Sequence, residues 1–172
     1  WAFGTVLFFE HWYFAIVPPL SFVILNYISY RGEIFKSVEL GEKGNLGTVY
    51  FPISFAIVLC LFWDRPNLLV ASLMPMTWGD ALAAIVGRRY GWRKYSVLGA
   101  TRSVAGSLAM FLFSWLSVFL ALLVLPPLGW QASLLCSLAV AVFATLVEAL
   151  SPGHIDNLTV PLLSAALLYW IA

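Results

Sequence analysis

Asp80 is the residue whose setting most invites chemistry. It lies in the run Trp78-Gly79-Asp80-Ala81-Leu82-Ala83-Ala84-Ile85-Val86-Gly87-Arg88-Arg89-Tyr90-Gly91, near the end of a long apolar stretch. A carboxylate at membrane depth is costly unless paired, so it is a functional candidate by default. Ala84 and Gly87 follow at helical spacing on its face and leave room beside it. Gly79, Ala83 and Gly87 equally make a small-residue stripe, whose plain meaning is close helix packing. Just downstream, Arg88, Arg89, Arg93, Lys94 and Arg102 share one connector that contains no acid. Such a cluster can fix topology or attract anionic lipid. It can also grip a polyphosphate, with arginine forks on phosphate oxygens and a carboxylate-held Mg²⁺ bridging them. Asp80, within one or two helical turns of the connector, favours the phosphate reading.

Further candidates lie in the second half of the chain. Arg102-Ser103 opens an apolar segment and leads into Gly106-Ser107; a cation with hydroxyls and glycine at a helix N-terminus is a natural phosphate cradle. Helix capping by Ser103 and small-residue packing explain the same residues more plainly. Glu148 and the stretch His154-Ile155-Asp156-Asn157-Leu158-Thr159 bracket a break between two apolar segments. Asp156 could cap the last helix and Glu148 could snorkel to water; together with Asp80 they are three acids able to converge on one or two Mg²⁺ ions. His154 is read as a loop histidine without a role. Asn45, just before Gly47-Thr48, sits in a charge-balanced loop and is a weaker candidate for reaching a ligand.

These residues must be held by membrane helices. The 172 residues are 62% hydrophobic and only 10% charged, with mean hydropathy +0.94. An ordinary soluble domain carries about 25% charged residues, and a soluble fold this short leaves too much of its chain exposed to hide that apolar surface. A crossing helix takes roughly 20 apolar residues. Apolar segments run over 1–9, 12–30, 48–63, 68–86, 104–125, 131–150 and 158–172. The reading is a single all-α polytopic membrane bundle over 1–172, of about six to seven transmembrane segments, with the first truncated and an N-terminal segment missing. The runs are too long and do not alternate, which excludes a barrel. No basic-aromatic array suggests nucleic acid. Cys60 and Cys136 sit in apolar stretches and read as small buried hydrophobes.

Five of the nine Lys and Arg residues lie in the Arg88–Arg102 connector, so the positive-inside rule puts it in the cytoplasm. Counting crossings from there, 31–47 and 151–157 share its face, while the turns at Glu10, Asp64 and Pro126 face the other side. The chemistry-capable residues therefore gather at one lipid–water boundary.

Taken in order, four segments resemble the CTP-dependent polyprenol kinase family of phytol and dolichol kinases, most closely its phytol kinase branch. They are Asn45-Leu46-Gly47-Thr48-Val49-Tyr50-Phe51-Pro52; Gly79-Asp80-Ala81-Leu82-Ala83-Ala84 with Gly87-Arg88-Arg89-Tyr90-Gly91; Gly106-Ser107-Leu108-Ala109-Met110-Phe111; and Glu148 followed by Asp156-Asn157-Leu158-Thr159-Val160-Pro161. The resemblance implies phosphoryl transfer from CTP, or another nucleotide, to the hydroxyl of a prenyl alcohol such as phytol or geranylgeraniol. Asp80 falls on the family's nucleotide and metal motif; from the residues themselves, Asp156 is expected to share the metal, and Asp156 or Glu148 to accept the hydroxyl proton. The nucleotide would be bound by Gly87, Arg88, Arg89, Gly91, Lys94, Arg102, Ser103, Gly106 and Ser107, with Asn45 and Asn157. The expected location is a bacterial inner, thylakoid or plastid membrane.

The chain departs from the family pattern in two places. Where the family has Lys-Ser-x-Glu-Gly-Ser, this chain has Arg102-Ser103-Val104-Ala105-Gly106-Ser107. The arginine keeps the charge, but Ala105 removes a carboxylate. The basic motif with histidine that precedes the family's first helix is also absent. Two rivals remain open: a CDP-diacylglycerol synthase-like cytidylyltransferase, and a non-enzymatic membrane transporter or subunit.

Overall fold

Seven apolar segments broken by Pro, Gly and charge fold as helices, because in lipid a helix satisfies every backbone group within itself. A computed structural model of the protein describes residues 2–32 and 46–172. Helices α1 (Ala2–Phe8), α2 (Trp12–Ala15) and α3 (Val17–Gly32) come first, followed by α4 (Gly47–Phe62) and α5 (Pro66–Met74). A widened π-helical turn, Pro75–Asp80, joins α5 to α6 (Ala81–Tyr90). Strands β1 (Lys94–Val97) and β2 (Ala100–Ser103) precede α7 (Val104–Val124), α8 (Trp130–Leu150) and α9 (Asp156–Ile171). Among the described residues, four continuous helical stretches are long and apolar enough to cross a membrane: Trp12–Gly32, Pro66–Tyr90, Val104–Val124 and Trp130–Leu150. The apolar helix α4 is shorter, at 16 residues. The all-α membrane bundle expected from composition is the fold observed.

Local chemistry sets the breaks. Pro66 stands at the start of α5, where a missing N–H costs nothing. Asn67 Nδ2 donates to the Pro126 carbonyl at 3.2 Å, so the two turns expected on the face away from the basic connector do meet. Pro52 and Pro161 lie inside α4 and α9, and each removes the N–H that the carbonyl four residues earlier would have used. Neighbouring helices supply replacements. Asn26 Nδ2 on α3 donates to the Thr48 carbonyl at 2.7 Å, and Ser54 Oγ on α4 donates to the Asn157 carbonyl at 3.0 Å.

The main core is formed by α4, α5, α7, α8 and α9 around residues such as Leu59, Leu69, Leu73, Leu122, Val140 and Leu168. A smaller cluster holds Met76, Ala83, Met110, Ala144 and Val160. Three of these stand one helical turn inward from an acid: Met76 from Asp80, Ala144 from Glu148 and Val160 from Asp156.

The basic connector is more ordered than its composition announces. Instead of a plain polar loop, it folds as an antiparallel hairpin pairing Lys94 with Ser103 and Tyr95 with Arg102. Its two turn residues, Leu98 and Gly99, both have positive φ, at 48° and 84°. Such a turn matches the twist of a two-stranded ribbon. Leucine rarely adopts this conformation, which is why the turn carries no clear signal in the sequence.

Candidate active site

Three acids from three elements converge. Asp80 ends the π-helical turn, Glu148 lies near the end of α8, and Asp156 opens α9. A carboxylate oxygen from each lies within 4.8 Å of the others. Glu148 and Asp156 are buried, with 4% and 5% of their surface exposed, and Asp80 is half-buried. Arg102, at the end of the hairpin, reaches into this group. Its Nε stands 3.0 Å from Glu148 Oε1, an ion pair whose N–H is not aligned on the oxygen. Its Nη2 donates to Asp156 Oδ2 at 2.9 Å. Burial alone would weaken the guanidinium's hold on its proton. Glu148, Asp156 and Asp80 outweigh that effect and raise Arg102 above its ordinary pKa.

Two of the acids, Asp80 and Glu148, border a cavity of about 700 Å³ between α6, α7 and the hairpin. Asp80, Glu148, Arg88, Lys94 and Arg102 contribute charge to its wall. Gly87, Gly91, Ser103, Gly106 and Ser107 contribute small and hydroxyl groups. The wall is narrow where α6 meets α7: a Cβ on Gly106 would stand 3.2 Å from the Ala83 carbonyl and 3.1 Å from Ser103 Oγ. Ser103 Oγ accepts from the Gly106 N–H at 3.1 Å, so it caps α7 as the plainer sequence reading has it, while also facing the cavity.

Several sequence candidates stand apart. Arg89 is exposed, with its guanidinium 5.6 Å from the centre of the Tyr90 ring. Asn157 is outside the cavity wall; its N–H donates to Asp156 Oδ1 at 2.9 Å, and its carbonyl is taken by Ser54. Asn45 lies outside the described residues. Asp156 sits behind Arg102 rather than on the cavity wall. Ala105 is also off the wall, so the acid cluster forms without a carboxylate at that position.

Two residues went unnoticed in the sequence. Thr101 lines the cavity from β2. The Tyr95 hydroxyl lies 2.6 Å from Ser107 Oγ, fastening β1 to α7. Neither carries a signal in sequence, because strand pairing within a short polar connector leaves no long apolar alternation.

The donor set fits a hard divalent cation. Carboxylate oxygens are the ligands that Mg²⁺ prefers. Three acids facing one guanidinium leave an excess of negative charge in a largely buried place, which a divalent ion would balance.

A bundle of membrane-length helices with carboxylates and cations gathered beside one cavity defines the class: a helical membrane-type protein with a buried, charged site. Relatives make the assignment narrower. The chain is 35% identical over 148 residues to phytol kinase of Synechocystis sp., covering 83% of this chain and 61% of that protein. It is 34% identical over 172 residues to probable phytol kinase 1, chloroplastic, of Oryza sativa subsp. japonica, covering 90% and 54%. It is 27% identical over 164 residues to farnesol kinase, chloroplastic, of Arabidopsis thaliana, covering 88% and 53%. Over most of its length the chain is similar to phytol kinase-type prenol kinases. It spans less than two thirds of the length of these curated relatives. No family model and no solved structure matches it.

Proposed function

We propose that this chain transfers a phosphoryl group from a nucleoside triphosphate, CTP by the family resemblance, to the hydroxyl of a prenyl alcohol such as phytol or geranylgeraniol. The observation that carries the reading is the meeting of Asp80, Glu148 and Asp156 within 4.8 Å, beside a cavity walled by Arg88, Lys94 and Arg102. The names of the relatives, phytol kinase and farnesol kinase, support the alcohol class. Five cations in one connector support a cytoplasmic position for the site.

Phosphoryl transfer asks a protein mainly for positioning and for neutralisation of charge. Asp80 and Asp156, with Glu148 beside them, would hold Mg²⁺, whose chemistry there is to neutralise charge on the phosphates. Arg88 and Lys94 face the volume left for the nucleotide and take up further negative charge. Gly87 and Gly106 keep α6 and α7 close without side chains that would fill that volume. The prenyl tail stays in the lipid phase and brings one hydroxyl to the boundary. Glu148, on the cavity wall, or Asp156 behind it would accept its proton.

The test is incubation of the purified chain in detergent with Mg²⁺, labelled CTP and phytol, geranylgeraniol or farnesol. CDP together with a prenyl phosphate is the expected outcome. Release of pyrophosphate would instead mark a cytidylyltransferase, and ion flux in liposomes without nucleotide turnover would mark a transporter.

A further inference from the structure

Arg102 stands where a cation is needed. Its guanidinium is 3.0 Å from a Glu148 oxygen and 2.9 Å from an Asp156 oxygen, so two of the three clustered acids are already held by a cation of the chain itself. The same side chain is 23% exposed and forms part of the cavity wall, so it touches both the acids and the open volume. Its Nε–H, although buried, has no aligned acceptor. The fork is therefore shared between two carboxylates without being fully satisfied by either.

A divalent ion placed among these oxygens would compete with the guanidinium for the same lone pairs and repel it at short range. An arginine displaced into the cavity finds new partners only if phosphate oxygens are there. We propose that Arg102 is a resident counter-ion of the acid cluster, which holds Glu148 and Asp156 in the metal-free protein and passes to the phosphates when metal and nucleotide bind together. The proposal rests on the metal–nucleotide reading of the site. Metal alone then binds weakly, and part of the mutual reinforcement between metal and nucleotide runs through this one side chain. An arginine that kept its two carboxylates throughout would also repel the metal, but would add nothing to that reinforcement.

Mn²⁺ binding to the detergent-solubilised chain, measured by electron paramagnetic resonance with and without β,γ-methylene CTP, separates the two cases. Without nucleotide, Arg102→Gln should bind Mn²⁺ about tenfold or more tightly than the parent, because one nearby positive charge is gone. Arg102→Lys should stay near the parent. The factor by which the nucleotide analogue strengthens Mn²⁺ binding should shrink in Arg102→Gln. An unchanged factor overturns the proposal, as does Mn²⁺ affinity in Arg102→Gln no greater than the parent's. Should Arg102→Gln not fold, the parent suffices: the ¹⁵Nε signal of Arg102, assigned with Arg102→Lys, must shift when Mg²⁺ and the analogue are added. A signal that stays in place overturns the proposal. The Mn²⁺-only comparison needs neither alcohol nor turnover, so a chain that passes it but transfers no phosphoryl group fails only the kinase reading.

Discussion

Ser54 Oγ lies 3.0 Å from the carbonyl of Asn157, across 103 positions of sequence, and shares its one proton between that oxygen and the Phe51 carbonyl at 2.8 Å. The Asn157 carbonyl is the one Pro161 leaves without its helical partner, and it belongs to the residue after Asp156. The bond therefore ties α4 to the turn of α9 that carries an acid of the candidate site. Ser54→Ala should lower stability by about 1 kcal/mol, the net worth of one buried hydrogen bond. Its cost should fall toward zero in a Pro161→Ala background, where the backbone supplies its own donor. Unfolding of the four proteins in a double-mutant cycle reads the coupling; equal costs in both backgrounds would remove this explanation of the serine.

Asp80→Asn is nearly isosteric and removes one candidate metal ligand. Phosphoryl transfer should fall roughly hundredfold or more, since a lost ligand weakens stabilisation of transition-state charge by several kcal/mol. Helix content by circular dichroism should be unchanged. Treatment of the parent with a chelator should abolish turnover, and added Mg²⁺ should restore it. Activity near the parent level in Asp80→Asn would take this carboxylate out of the site.

Tyr95 fastens the hairpin that brings Lys94 and Arg102 to the cavity. Tyr95→Phe keeps the ring and loses the bond to Ser107. Loss of about 1 kcal/mol of positioning predicts a KM for CTP raised about fivefold. Because the hydroxyl is fastened to Ser107 rather than aimed into the acid cluster, kcat should change much less. Steady-state kinetics distinguish this from a catalytic role, in which kcat would drop while KM held.

Gly79 has no room for a side chain. A Cβ there would overlap Ser114 Oγ and stand 2.8 Å from Met110 Sδ. Gly79→Ala should destabilise the fold by about 1–3 kcal/mol through overpacking, with part of the loss recovered by a second change, Ser114→Ala. Thermal unfolding in detergent provides the comparison. A Gly79→Ala protein as stable as the parent would mean that the π-helical turn yields more readily than its packing indicates.

Much of this molecule follows from one-dimensional pattern. Apolar runs of crossing length dictate helices because lipid offers the backbone no other partners, and Pro, Gly and charge mark where they stop. Asp80, Glu148 and Asp156 stand out because carboxylates are rare and costly in such runs, and counting crossings is enough to send them to one end of the bundle. Other features are invisible at that level. Nothing local in Arg102 says that its fork will lie between Glu148 and Asp156, because that depends on how α8, α9 and a short hairpin pack. The hairpin itself is hidden by its brevity and by a leucine in its turn. The pairing of Asn26 with Thr48 and of Ser54 with Asn157 depends on which helix lies against which proline. Local composition dictates where polar groups can be tolerated along a chain; which of them satisfy one another is settled by long-range packing, since hydrogen bonds and ion pairs act over a few ångströms and the partners lie far apart in sequence.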